Sequence, residues 1–203
     1  VRALAAAAVS VAMVLGSAAA RADGLSRGET DRLLRGETVS RTQELRRGPR
    51  RYVGGVTYTI VEADADALSS LLDDVGGWRR FLPRTRDARR VGAIDGDMLV
   101  EVTHGSALVQ VAYTLRVHRE SNVVRFWMDP SRPHDIEDAW GFFRVEPMPD
   151  RRALVTYGIL IDMGDGLLRD LFENRVRELA LEVPEHVREL ALQELARGRR
   201  ASR

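Results

Sequence analysis

The sequence predicts an α+β chain: a curved antiparallel sheet wrapped around one long C-terminal helix, with two short helices after an early strand. Three observations carry this. Between Thr85 and Met163, segments rich in β-branched and aromatic residues recur, separated by short breaks of Gly, Asp, Asn and Pro. After Gly164 the apolar residues change to a helical spacing. A chain of 203 residues, 44% hydrophobic and 30% charged, suits one packed core rather than two domains or a disordered polymer.

The chain opens with an apolar stretch, Ala3 to Ala20, behind a cationic start at Arg2. It closes in Ala20-Arg21-Ala22, with small residues where signal peptidase reads, so residues 1–22 are expected to be a cleavable leader. The protein is then exported, periplasmic or secreted; a retained N-terminal membrane anchor is the alternative. All basic residues are arginines, and the formal charge is +1. Removal of Arg2 and Arg21 would leave the chain slightly acidic, which argues against a nucleic-acid partner. With no cysteine there is no disulfide, no thiolate chemistry and no lipid attachment site of lipoprotein type.

Residues 23–51 are expected as a polar N-terminal extension, 52–196 as the main domain and 197–203 as a basic tail. Within the extension, Ser26 with Glu29 three residues on has the form of a capping box, which predicts a helix over Ser26 to Leu34. A strand is expected from Glu37 to Glu44 and a turn over the run Arg46 to Arg51. That run is either a patch for phosphate or lipid headgroups or, more simply, a solvated loop. A strand over Tyr52 to Ala63 leads into a helix, with Asp64 or Asp66 available to accept its free amide hydrogens and Leu68, Leu71, Leu72 and Val75 on one side. Gly76 and Gly77 are expected to end it. Trp78 and Phe81, three apart, share one face of a second short helix.

Strands follow at about Thr85–Ala93, Met98–His104, Leu108–Arg119, Val123–Met128, Ile136–Glu146 and Ala153–Met163, a meander. In the third, Val109, Val111, Tyr113, Leu115 and Val117 should face the core, and Gln110, Thr114, Arg116 and His118 water. The final helix carries Leu168, Leu171, Phe172, Val176, Leu179, Val183, Val187 and Leu190 along one stripe, with Asp165 as cap and Pro184 as an expected kink. Only the curved sheet offers such a helix an apolar surface.

Local segments sharpen this reading. Val61 to Leu68 followed by Asp73 to Pro83, and Gly141 to Asp150 followed by Leu154 to Tyr157, resemble the strand–helix passage and the late hairpin of the SRPBCC superfamily of START-like, helix-grip proteins, nearest to the coenzyme Q-binding and polyketide cyclase/dehydrase-type members. The resemblance covers about Gly36 to Ala196, and its motifs are packing chemistry. It implies a cavity between sheet and helix and a ligand that is a lipid, an isoprenoid quinone, a sterol or a polyketide.

Catalytic and metal chemistry find little footing in the residue pattern. The four histidines lie far apart, and the cluster His134-Asp135-Ile136-Glu137-Asp138 reads as an acidic loop before it reads as a metal site. No serine sits in a nucleophile elbow. The glycine pairs Gly54-Gly55 and Gly76-Gly77, like Gly164-Asp165-Gly166, are too short for a phosphate loop and read as turns and helix ends. No cofactor is expected.

The reading that remains is a protein that binds or carries an apolar small molecule. Its wall is expected to include Val109, Val111, Tyr113, Phe126, Tyr157, Ile159 and Phe172, with Trp78 and Phe81 near its mouth. Transient contact with a membrane surface would accompany ligand exchange. Alternatives are a cyclase or dehydratase in the same pocket, drawing an acid and a base from Glu101, His104, Tyr113 and Tyr157, and an interaction module with a closed groove. Oligomeric state is left open.

Overall fold

A computed structural model describes residues 24–105, 110–165 and 167–201. The leader expectation for residues 1–22 and the wall position Val109 lie outside the described residues.

Helix α1 (Arg27–Leu34) begins at Ser26, whose side chain accepts from the Glu29 amide while the Glu29 carboxylate accepts from the Ser26 amide, the reciprocal box expected from the sequence. Glu29 also accepts from Arg41 at 2.6 Å, which ties the helix to strand β1 (Val39–Arg47). Strand β1 pairs antiparallel with β2 (Arg50–Val61) along its whole length. The basic run is therefore not one loop: only Gly48 and Pro49 lie outside the strands, and Gly48 adopts the positive φ that a tight hairpin needs. Arg50 pairs with Asp138, and Arg51 with Glu44 and Glu173. Residues 39–47, expected as part of a polar extension, form an edge strand of the main sheet.

Helix α2 (Ala65–Asp73) buries Leu68 and Leu72 and gives way to a 3-10 turn, Val75–Arg80. Two expectations fail here. Asp64 occupies the cap position, but its carboxylate accepts from no helix amide, because Arg151 holds that carboxylate at 2.6 Å. Gly76 and Gly77 lie inside the 3-10 turn and do not terminate α2.

Strands β3 (Thr85–Ile94), β4 (Asp97–Gly105), β5 (Gln110–Glu120), β6 (Val123–Met128), β7 (Asp138–Met148) and β8 (Arg152–Asp162) form the expected meander. The sheet order is β1-β2-β8-β7-β6-β5-β4-β3, so the last strand returns to lie beside β2. Gly54 and Gly55, expected at a turn, sit in mid-strand on β2. Both have φ near +155°, and a Cβ on either would stand 2.0 Å from a carbonyl oxygen, that of Ile159 or of Arg41. They let β2 pass close between β8 and β1.

Helix α3 (Leu167–Ala201) lies on the concave face; the side chains of residues 167–172, 195 and 198–201 are outside the described residues. The core joins Val61, Val100, Val102, Val155, Val183 and Val187, each at 2% exposure or less. Thr57, buried on β2, donates to the Leu181 carbonyl at 3.1 Å. Pro184 sits inside the helix, which runs unbroken through it. On the convex face, α1 covers a smaller cluster of Leu33, Val39 and Tyr58.

Strand β5 departs from the expected alternation at one place. Val111 and Tyr113 face inward with Leu115 and Val117, and Gln110 faces solvent, but Thr114 is buried. The chain after β6 folds back along β5: the Asp129 amide donates to the Thr114 carbonyl, and the Asp135 amide to that of Ala112. Arg116 is half-buried against Asp129 at 3.5 Å.

Candidate functional site

Between the concave face and α3 the sheet leaves a cavity of about 530 Å3, within the range of roughly 300–1,000 Å3 that holds small molecules. Its origin is the curvature of a long sheet closed by a single helix, which spans the concavity without filling it. Its wall includes Leu72, Trp78 and Phe81 and the sheet residues Val124, Phe126 and Phe143. From α3 come Val176, Leu179, Ala180 and Val183. Arg84, Asp135 and Arg175, all exposed, and Met163 also belong to the lining.

Of the expected wall, Trp78, Phe81, Val111, Tyr113, Phe126, Tyr157 and Ile159 all line this space. The Phe172 side chain, like Val109, is outside the described residues. Trp78 and Phe81 are more deeply set than a mouth position implies, at 7% and 2% exposure. The Trp78 indole N–H donates to the Leu72 carbonyl at 2.9 Å, which satisfies the ring's one polar atom and leaves its apolar face to the cavity wall. Phe143, one of the aromatics that could line a cavity or fill a core but not part of the expected wall, also lines the space. It packs 4.4 Å from the Tyr157 ring and edge-on to Phe81, and its parity with the inward Val145 is the signal that marks it. Gly141 makes room for its neighbour: a Cβ there would come within 2.6 Å of the Phe126 ring.

Four strand-borne polar groups were candidates for chemistry, and the structure separates them. Glu101 points away from the cavity and pairs with Arg89 at 2.6 Å. His104, Tyr113 and Tyr157 line the cavity. His104 Nε2 lies 2.9 Å from the Tyr113 hydroxyl and Nδ1 lies 3.0 Å from Thr85 Oγ1, so a polar chain of three side chains enters an otherwise apolar wall. The imidazole and phenol rings stack 5.6 Å apart. Burial lowers the His104 pKa, opposed by the pull of the Pro83 carbonyl, which favours the protonated ring. Burial raises both tyrosines, and Tyr113 adds to the effect at Tyr157. All three groups are therefore neutral at pH 7.

The described residues hold no cluster of three or more His, Asp or Glu that could take a metal. In the acidic segment, the Asp135 carboxylate accepts from the Ala112 amide and Asp138 receives Arg50 and Tyr52. No helix among the described residues is long and apolar enough to cross a membrane.

No family model and no curated protein matches the sequence. Solved structures do. A STAR-related lipid transfer protein from Xanthomonas axonopodis superposes with a TM-score of 0.60 at 17% identity, over 76% of this chain and 93% of that one. A START superfamily protein from Mycobacterium smegmatis gives 0.53 at 13% identity, over 68% and 93%. The Zhui aromatase/cyclase from Streptomyces sp. R1128 gives 0.51 at 18% identity, over 81% and 97%. At these identities the likeness establishes the fold, which is START/SRPBCC-like with the helix-grip arrangement expected from the sequence.

Proposed function

We propose that this chain binds and carries an apolar small molecule of lipid, quinone or polyketide type in the cavity under α3, and that it does so after export to the cell envelope. The observation that carries the reading is the cavity itself: large enough for a drug-sized ligand and walled by aliphatic and aromatic side chains, with a few enclosed polar groups that are neutral. Burial of a ligand's apolar surface contributes about 25 cal/mol per Å2, so shape and burial can supply affinity without a charged anchor. The START-like lipid-transfer and aromatase/cyclase structures are consistent with that ligand class. An open cavity of this size also weighs against an interaction module with a closed groove.

The chain Thr85–His104–Tyr113 is the one observation that favours a cyclase or dehydratase instead. General acid–base catalysis works best with groups whose pKa lies near the working pH. Here burial moves His104 down and Tyr113 up, away from neutrality on both sides, which suits hydrogen bonding better than proton transfer.

Val111→Trp tests the carrier reading, because Val111 lies on the cavity wall and a larger side chain would narrow the space. The wild-type protein should bind the neutral apolar fluorophore 1-aminoanthracene saturably. The variant, shown by circular dichroism to be folded, should bind it at least about tenfold more weakly. Absence of saturable binding in the wild type would refute the proposal.

A further inference from the structure

We propose that the cavity selects an apolar ligand bearing one hydroxyl group, an alcohol or a phenol, which donates to the Tyr113 oxygen and accepts from the Tyr157 hydroxyl. The inference rests on the ligand-binding reading above and sharpens it.

A neutral imidazole has one N–H and one lone pair to offer. The Pro83 carbonyl, which can only accept, also favours a protonated nitrogen on the His104 ring. Thr85 Oγ1 stands against Nδ1, and the Tyr113 hydroxyl stands 2.9 Å from Nε2. We assign the proton to Nδ1 from this network. Phenol is the better donor of the second pair and an imidazole nitrogen the better acceptor, so the Tyr113 proton points at Nε2. What Tyr113 presents to the cavity is then a lone pair. His104 is the positioning residue that makes it so.

Tyr157 presents the opposite. Its side chain is 3% exposed, it lines the cavity, and among the described residues no group accepts its hydroxyl proton. A buried donor without a partner carries a desolvation cost that a ligand acceptor would remove. Strands β5 and β8 are separated by two others in the sheet. Both phenols nonetheless line the same cavity, and charge on Tyr113 adds to the raised pKa of Tyr157.

The wall thus shows one acceptor and one donor. A hydroxyl satisfies both at once. A carbonyl or an ether can satisfy Tyr157 only. A carboxylate brings a charge into a region where the arginines lining the cavity, Arg84 and Arg175, are exposed at its rim and not part of its interior.

The test is a matched series on one skeleton, farnesol, farnesyl methyl ether and farnesoate, titrated calorimetrically into the purified full chain at pH 7.5. Farnesol should bind about tenfold more tightly than either analogue, the discrimination that one well-made hydrogen bond supplies. Tyr113→Phe should remove the preference for alcohol over ether with ether binding nearly unchanged. Tyr157→Phe should weaken both to the same degree and keep their ratio. A purely structural role for these tyrosines would weaken all three ligands alike. Equal wild-type affinity for farnesol and its ether would overturn the proposal, and so would tightest binding of farnesoate, which would put the headgroup at the rim arginines. This wild-type comparison stands whether or not the variants fold. If no member of the series binds, the ligand-binding reading fails with it.

Discussion

A histidine set into an apolar wall either loses its charge or costs the fold stability, and His104 takes the first course. Its folded pKa lies below the ordinary 6.5, through burial. Above pH 6.5 the ring is neutral in both folded and unfolded chains and contributes nothing to pH dependence. Below it the unfolded chain takes up a proton that the folded chain resists, so stability falls as pH drops, until the folded pKa is reached. Urea midpoints measured between pH 7 and pH 5 should therefore decline, and the decline should flatten in His104→Gln. Glu29 acts in a separate and lower window. Its carboxyl, held to about 2 by the Arg41 guanidinium and then by Ser26, favours the folded state above pH 4.5 and loses that effect as pH falls towards 2. Strand parity made part of this site readable in advance. His104, Val102 and Val100 alternate inward on β4, and the same parity sends Glu101 outward, so Glu101 and His104 cannot both serve one cavity. The bond from His104 to Thr85 depends on a strand bulge between Thr85 and Asp87, and no periodicity announces it.

At the scale of elements, α3 has two tasks, and two of its residues divide them. Val183, which reaches the cavity wall, is 2% exposed and locked into the core cluster, whereas Leu179, one turn earlier on the same wall, is only half-buried. Val183→Asp should cost about 3–5 kcal/mol by burying an unpaired charge, read as a large fall in Tm. Leu179→Asp should cost less, since its carboxylate can face the cavity, yet it should abolish binding of an apolar probe. Equal losses of Tm would mean that the helix does not leave the space described. The stripe that places both residues is plain in the sequence. Two features beside it are not: Leu181 is buried away from the stripe, and Thr57 bonds its carbonyl across 124 residues of sequence. A polar side chain in mid-strand announces no particular partner. Only the docking of helix on sheet, close to Pro184, makes the Leu181 carbonyl that partner.

For the whole molecule, carriage and location are joined, because an apolar cavity serves a carrier wherever its ligand must cross water between membranes. The export proposal rests on the apolar run from Ala3 to Ala20 and its small-residue exit. N-terminal sequencing of the exported protein should find a chain starting at Asp23, and a membrane-bound product that still begins at Val1 would show an anchor instead. The described fold also bears on where truncation is tolerated. Residues 39–47 cover the outer edge of β2 along its length, so this part of the chain belongs to the sheet, although its composition reads as a polar extension.

What the sequence determined by itself is whatever follows from local periodicity: the meander, the long helix, the capping box at Ser26, and the inward parity of Tyr113, Phe126, Tyr157 and Ile159. These are short-range signals, because side chains alternate every two residues in a strand and return every 3.6 in a helix. The tertiary structure alone decided which inward residues fill a core and which line a space. Val100 and Leu115 face each other across β4 and β5 with the same parity, yet only Leu115 lines the cavity. That outcome depends on how far the sheet curls and how far α3 stands from it. Glycine close approaches at Gly54, Gly55 and Gly141, the return of β8 to β2, and the bond from Thr57 to Leu181 set those distances. All of them join residues distant in the chain, and local pattern contains no term for such contacts.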